Sequence, residues 1–382
     1  MGLAEVEKWL YRCGRCNSCK YIYKNYRDSC PSGKEHMFEP FWASGRVWLA
    51  NALHKGELEW TEKVKEIIFT CPTCGNCMEQ CEQDVGEHLI EIFEALRAEC
   101  VEKVGPTEAA KAFNENTEKV HNPYNEPHEN RLNWISNKKF PEKADVLFFV
   151  GCTSSYRELE MAKATHDILE KMGINFTISS EEYCCGSPML RTGQLDLPKE
   201  LAKHNLEIFK NAGAKTVVTS CAGCYRVLKV DYPKILGDLP FEVKHITEFI
   251  NENKDKLQLK EDSVKVTYHD PCHLGRHSGV YDDPRDLIKS VPGVELIEMP
   301  RNRENAWCCG AGGGVKIGYP DWALEISKER LEEAKETGAT VLTSMCPFCK
   351  TNLADANKEF NMSFEIIDLI ELIDQLKIEV NE

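Results

Sequence analysis

From residue 146 onward the chain alternates short apolar runs with longer stretches that are apolar along one helical face, and it does so twice. Residues 146–150 form an apolar run that ends at Gly151 and Cys152; 158–172 have helical spacing; 174–178 read as a strand leading to Cys184; 199–212 are helical; 216–219 read as a strand ending at Cys221. The second passage places strands at 264–268 before Cys272, 294–297 before Cys308 and 340–343 before Cys346, with a helix over 322–337. Short strands separated by helices predict α/β units with parallel sheets. Cysteines just past strand ends then fall where such sheets form their binding crevices.

Before residue 146 the periodicity is helical. Residues 39–54 and 59–69 read as helices, and Leu89, Ile92, Phe93 and Leu96 share one helical face. Cys100 continues that face by one turn, which makes it a buried thiol packing as a small hydrophobe rather than a ligand. Residues 104–145 are polar and broken by prolines, so they read as a connector. The expected fold is multidomain: a mainly α N-terminal domain over 1–103, a connector over 104–144, and duplicated α/β units over 145–260 and 261–382.

The cysteines sharpen this picture. Cys152 and Cys272 are 120 residues apart, Cys184 and Cys308 124, and Cys221 and Cys346 125, so one five-cysteine unit is written twice. Its members are Cys152, Cys184, Cys185, Cys221 and Cys224, then Cys272, Cys308, Cys309, Cys346 and Cys349. Adjacent cysteines rarely share a disulfide, because the peptide between them would have to distort. A secreted disulfide scaffold is disfavoured as well, since the first ten residues lack an apolar signal core. Nineteen cysteines in a 382-residue chain are therefore expected to be reduced and metal-bound.

Two more runs precede the duplicated part. The first is Cys13, Cys16 and Cys19, followed by Cys30-Pro31; the second is Cys71, Cys74 and Cys77, followed by Cys81. Three cysteines at two-residue spacing plus one beyond is the ferredoxin arrangement, in which the fourth cysteine serves the other cluster. Crossed ligation assigns Cys13, Cys16, Cys19 and Cys81 to one cubane [4Fe-4S] cluster and Cys71, Cys74, Cys77 and Cys30 to a second. The ten residues between Cys19 and Cys30 replace the usual three. Structural zinc is the plainer reading of a CxxC pair, but the doubled three-cysteine runs exceed what tetrahedral zinc commonly uses.

Charge and hydropathy exclude other classes. A formal net charge of −15 with no basic cluster argues against nucleic acid or an anionic membrane surface as partner. No apolar run is long enough to span a bilayer. The glycines at 310, 312, 313 and 314 lack the lysine-serine of a phosphate loop and miss the dinucleotide fingerprint, so close backbone approach to a cluster accounts for them better. Arg191, Arg276 and Lys350 lie beside the cysteines as candidate anion contacts or as ordinary solvated residues. His269, His273 and His277 flank Cys272, with His273 a candidate proton donor against an ordinary strand-end role.

The spacings Cys-x31-Cys-Cys-x35-Cys-x2-Cys and Cys-x35-Cys-Cys-x36-Cys-x2-Cys resemble the cysteine-rich CCG domain of heterodisulfide reductases. The order of ferredoxin domain and then two such repeats resembles the D-type subunit of that family, over nearly the whole chain. The resemblance implies that each complete five-cysteine set holds a noncubane [4Fe-4S] cluster and that the pair clamps the disulfide of coenzyme M and coenzyme B. Electrons would enter at the N-terminal cubanes and leave by cleavage of that disulfide, as in methanogenesis in a strict anaerobe. The implied partners are a flavoprotein or ferredoxin donor, or a membrane cytochrome b. The protein is then cytoplasmic, or held at a membrane through a partner. Related proteins suggest an alternative, an electron-transfer subunit relaying between a flavoprotein and a quinone-linked membrane partner.

Overall fold

The computed structural model describes residues 2–135 and 138–377. Residues 136–137 of the expected connector and 378–382 of the expected second unit lie outside the described residues.

Each α/β unit carries a four-stranded, all-parallel sheet. The first contains β1 (Val146–Phe148), β2 (Phe176–Thr177), β3 (Thr216–Thr219) and β4 (Glu242–His245), in the order β2-β1-β3-β4. The second contains β5 (Lys265–His269), β6 (Glu295–Leu296), β7 (Val341–Ser344) and β8 (Glu365–Asp368), in the order β6-β5-β7-β8. Registers match: Val146 lies opposite Phe176 and Thr216, Val266 opposite Leu296 and Val341. The inner strands read as continuous apolar runs because helices cover both faces of a parallel sheet. Val217, Val218, Val266 and Leu342 are fully buried. One apolar core runs through both units, from Val146 to Ile373.

The apolar pattern predicts three strands per unit, and the structure has four. β4 and β8 are each followed without a loop by a helix. At both junctions the strand's last residue is the helix N-cap, and a glutamate three residues on bonds back to its N–H: Glu248 to His245 at 2.8 Å and Glu371 to Asp368 at 2.9 Å. A capping box set directly on a strand end leaves no turn residues to mark the boundary.

The N-terminal domain is built on the helix Leu89–Val104, whose Ile92, Phe93 and Leu96 pack with Val47 and Ala50 of the helix Ala43–His54. Cys100 is fully buried on that face. The helix expected from Glu39 is broken at Trp42, whose extended backbone separates a short 3-10 turn from Ala43–His54. The expected connector contains a helix of its own, Glu108–Val120, with the Thr107 hydroxyl accepting from Ala110 N at 3.3 Å. Its polar composition hid it, since only Ala110 and Thr117 are buried along it.

Candidate metal centres

In the N-terminal domain Cys13, Cys16, Cys19 and Cys81 line one small pocket closed by Ala43, Val85 and Leu89. The loop curls around it through Arg15 and Asn17, both left-handed at φ 54° and 68°. Cys16 is exposed. The other four gather more deeply. Cys77 is pushed up by burial and by the nearby Cys74, Cys71 and Cys30. Cys30 is the N-cap of the helix Pro31–His36, its Sγ accepting from Gly33 N at 3.4 Å. Burial pushes the Cys30 thiol up to about 12, with the Arg46 guanidinium pulling the other way. The structure thus brings together the two sets that crossed ligation names.

The ten remaining cysteines collect where strand order reverses, between β1 and β3 in one unit and between β5 and β7 in the other, the usual crevice of an open parallel sheet. Cys152 follows β1 and Cys221 follows β3; Cys272 follows β5 and Cys346 follows β7. Each CxxC opens a helix, Ala222–Arg226 or Pro347–Glu359. The first cysteine of each adjacent pair accepts from the N–H two residues on, Gly186 to Cys184 at 3.5 Å and Gly310 to Cys308 at 3.3 Å.

Nine of these ten cysteines line one shared cavity of about 130 Å³. The Cys221 thiol of the first unit is drawn down by Cys224 and, across the cavity, by Cys346 of the second unit. Cys309 and Cys349 approach to 3.2 Å between sulfurs. The exception is Cys308, which packs with Trp307, Val315 and Cys74 of the N-terminal domain.

Hydrogen bonds split the thiols of each set. Cys185 is held low by Cys184 and Cys224, and Cys309 by Cys308 and Cys349, while Cys152 is pushed up by its bond with Cys184 and by burial. Thiols packed this closely in a dry site do not all ionise unless cations sit among them. Iron supplies such cations, so the donor sets fit iron-sulfur clusters.

The surrounding polar groups are engaged. Arg131 Nη2 donates to Glu182 at 2.6 Å and lies 3.8 Å from Cys152 Sγ, while Glu182 accepts from Val150 N at 2.8 Å and Gly151 N at 2.9 Å. In the second unit Arg285 pairs with Asp270 at 2.7 and 2.9 Å. Arg330 Nε donates to His269 Nδ1 at 3.1 Å, which leaves the ring proton on Nε2. A His269 ring nitrogen lies within 4.8 Å of the Cys309 and Cys349 sulfurs. Phe149 holds the matching place in the first unit, three residues before Cys152. His269 is therefore a site residue to which sequence reading gave no role of its own; its place at a strand end, three residues before a ligand position, was the available signal.

None of the three flanking cations is a solvated surface residue. Arg191 lines the cavity, but its guanidinium is held by Glu94 and by Asp231 at 2.7 Å. Lys350 bridges Glu158 at 2.8 Å and Glu371 at 2.7 Å. Arg276 is buried and bonds backbone carbonyls, Cys74 O and Ala306 O, both at 2.7 Å. His273 also lines the cavity, where burial lowers it to about 3 and keeps the ring neutral.

The N-terminal domain is seated on the second unit. Ideal Cβ atoms at Gly312 and Gly313 would fall 3.0 Å from Pro72 O and 2.7 Å from Pro72 C, so the glycine run faces the Cys71-Pro72 backbone. Arg97 locks the seam from beneath, donating to Gly313 O at 2.7 Å, Ile68 O at 3.2 Å, Cys71 O and Arg191 O.

Fold and site define an iron-sulfur electron-transfer oxidoreductase in which a dicluster domain is fused to a duplicated cysteine-rich domain. The 4Fe-4S dicluster domain family matches residues 9–85, and the cysteine-rich CCG domain family matches 146–229 and 266–354. The chain is 41% identical, over 94% of its length and 92% of the relative's, to the D-type subunit of the dihydromethanophenazine:CoB–CoM heterodisulfide reductase of Methanosarcina mazei, and it belongs to the family of heterodisulfide reductase D-type subunits. It is also 33% identical to the EtfAB:quinone oxidoreductase of Syntrophomonas wolfei, over 81% of this chain and 46% of that one. Among solved structures, a hypothetical protein from Helicobacter pylori shares the fold at TM-score 0.61 and 12% identity, over 90% of this chain and 69% of that one.

Proposed function

We propose that the chain reduces a disulfide of the coenzyme M–coenzyme B type, taking electrons through its N-terminal domain. The observation that carries this reading is the shared cavity, on which all five cysteines of the first set and four of the second converge from opposite units. Cys13, Cys16, Cys19 and Cys81 would hold one cubane, Cys30, Cys71, Cys74 and Cys77 the other, and each five-cysteine set a noncubane [4Fe-4S] cluster. When bound, the paired clusters supply one-electron reduction from both sides of an S–S bond, so that one disulfide, two electrons and two protons give two thiols. The chain's own part is to place the thiolates, keep water out and orient the disulfide. His273, neutral at the cavity wall, offers an N–H to a departing sulfur rather than an imidazolium proton.

A second reading rests on the likeness to the EtfAB:quinone oxidoreductase: a relay between a flavoprotein and a quinone-linked membrane partner. No helix among the described residues is long and apolar enough to cross a membrane, and in this reading a partner subunit would supply the membrane contact. The test uses anaerobically purified protein carrying about sixteen irons. Heterodisulfide-dependent oxidation of a reduced dye is expected, with near-complete loss in Cys185→Ala and Cys309→Ala alike. Fully loaded protein that exchanges electrons with a flavoprotein but never turns over the heterodisulfide would move the function to the relay.

A further inference from the structure

Arg46, Arg97 and Arg276 are buried, at 1%, 0% and 9% exposure. Unlike Arg131, Arg191, Arg285, Arg301 and Arg330, none of them is ion-paired with a carboxylate among the described residues. Arg46 donates to Ile67 O at 3.1 and 3.2 Å, Ser32 Oγ at 2.7 Å, Thr70 Oγ1 at 3.4 Å and Phe41 O. Arg97 donates to the four carbonyls already named. Arg276 takes Cys74 O, Ala306 O and Glu304 O. Every acceptor is neutral; Glu94 lies near Arg97 and Glu79 near Arg276, but neither is ion-paired with them, and three positive charges in a dry interior are costly unless more negative charge lies close by.

All three reach the same four cysteines, and Arg276 also faces Cys272 and Cys308 of the second unit. Arg46 bonds the neighbours of Cys30 and Cys71, and Arg97 and Arg276 bond the carbonyls of Cys71 and Cys74. Arg97 Nε and Arg276 Nη2 are buried without a hydrogen-bond partner. A cubane on four thiolates is a dianion when oxidised and a trianion when reduced, so it answers three unpaired cations, and they favour its reduced form. Among the described residues the outer set of Cys13, Cys16, Cys19 and Cys81 has no such ring. Arg12 there is exposed and paired with Asp84, and Arg15 lies exposed over Trp48, where solvent screens its charge.

We propose that Arg46, Arg97 and Arg276 are positioning residues that raise the reduction potential of the cluster on Cys30, Cys71, Cys74 and Cys77 above that of the cluster on Cys13, Cys16, Cys19 and Cys81. Electrons taken up at the exposed outer site then run downhill toward the seam with the second unit. This rests on the ligand assignment given under the proposed function.

The test is a redox titration read by electron paramagnetic resonance on the iron-loaded full chain, comparing R46M, R97M and R276M with R46K, R97K and R276K. Glutamine replaces methionine wherever methionine abolishes iron loading. At the potential that half-reduces the inner cubane of the unsubstituted protein, each neutral variant is expected to lower its reduced-to-oxidised ratio at least tenfold, a shift of about 59 mV for one electron. Lysine variants should stay within about threefold, and the outer signal should not move. An unmoved inner signal in a loaded neutral variant overturns the proposal. So do lysine variants that shift as far as neutral ones, or equal shifts of both signals. The ligand assignment is tested apart, by Cys81→Ser, which should alter the outer signal alone. If it alters the inner signal instead, the ligation is at fault and the proposal falls with it, an outcome distinct from an inner signal that stays put in the arginine variants.

Discussion

Gly313 is the position where a single added carbon tests the seam between the cubane loop and the second unit. Its φ is 61°, and an alanine Cβ would lie 2.7 Å from Pro72 C, 2.8 Å from Cys71 O and 2.9 Å from Pro72 O. Those atoms are backbone, held by a proline and by Arg97, so they cannot swing aside as a flexible side chain would. The left-handed backbone costs about 1 kcal/mol for alanine, and the overpacking about 1–3 kcal/mol more, for a total of roughly 2–4 kcal/mol. Gly213→Ala is the control: its φ is 67°, but nothing lies within 4 Å of its Cβ, so only the backbone share applies. At about 2 °C per kcal/mol, Gly313→Ala should lower the apparent unfolding midpoint by roughly 4–8 °C and Gly213→Ala by about 2 °C. Both are scanned anaerobically at one rate, because unfolding of a cluster-bearing multidomain chain is governed by kinetics. Equal losses in the two variants would refute the claim that the glycine run exists for this close approach.

Glu182→Ala leaves Arg131 buried beside Cys152 without its carboxylate and strips the acceptor from Val150 N and Gly151 N. The expected loss is about 3–5 kcal/mol in thermal unfolding, and a midpoint equal to that of the unsubstituted protein would count against a stabilising role for the pair. His245 is held at about 3 by burial, below its ordinary 6.5. The unfolded chain therefore takes up a proton that the folded chain refuses, and stability is lost as pH falls from 6.5 toward 3, by at most about 1.4 kcal/mol per pH unit. His245→Asn keeps a capping side chain and should flatten the pH dependence of the unfolding midpoint between 6.5 and 5; an unchanged slope would assign that acid sensitivity to other groups.

What the sequence disclosed was local or periodic. The duplication, the strand-end cysteines and the buried Cys100 follow from spacing, which survives any arrangement of the units. β4 and β8 escaped because their capping boxes abut them, and the helix Glu108–Val120 because it buries so little. The arginines escaped for another reason. Arg97 meets Gly313 across 216 residues and Arg276 meets Cys74 across 202, and no local pattern separates such a residue from a solvated one. Arg191 and Lys350 looked like free cations because Glu94, Asp231 and Glu371, which hold them, are far away in the chain.

Duplication explains the cavity but would by itself give two equivalent halves. The fused dicluster domain breaks that equivalence. In the first unit the adjacent pair is covered by the segment after Val120: His121 O accepts from Cys184 N at 2.9 Å, and Tyr124 reaches Thr153 Oγ1 at 2.9 Å. In the second unit the cubane loop takes that role, with Cys74 against Cys308 and Pro72 beneath the glycine run. Cys308 is accordingly the one member of the ten turned out of the shared cavity, while its counterpart Cys184 lines it. On the proposed ligation the second unit stands directly behind the inner cubane through Cys308 and Cys74, whereas the N-terminal domain meets the first unit through Glu94, which pairs with Arg191 and Arg226, and, among the described residues, through no cysteine of that unit's set. If the cavity takes the proposed disulfide, the sulfur nearer the second unit would lie on the side where Cys308 abuts the inner cubane set.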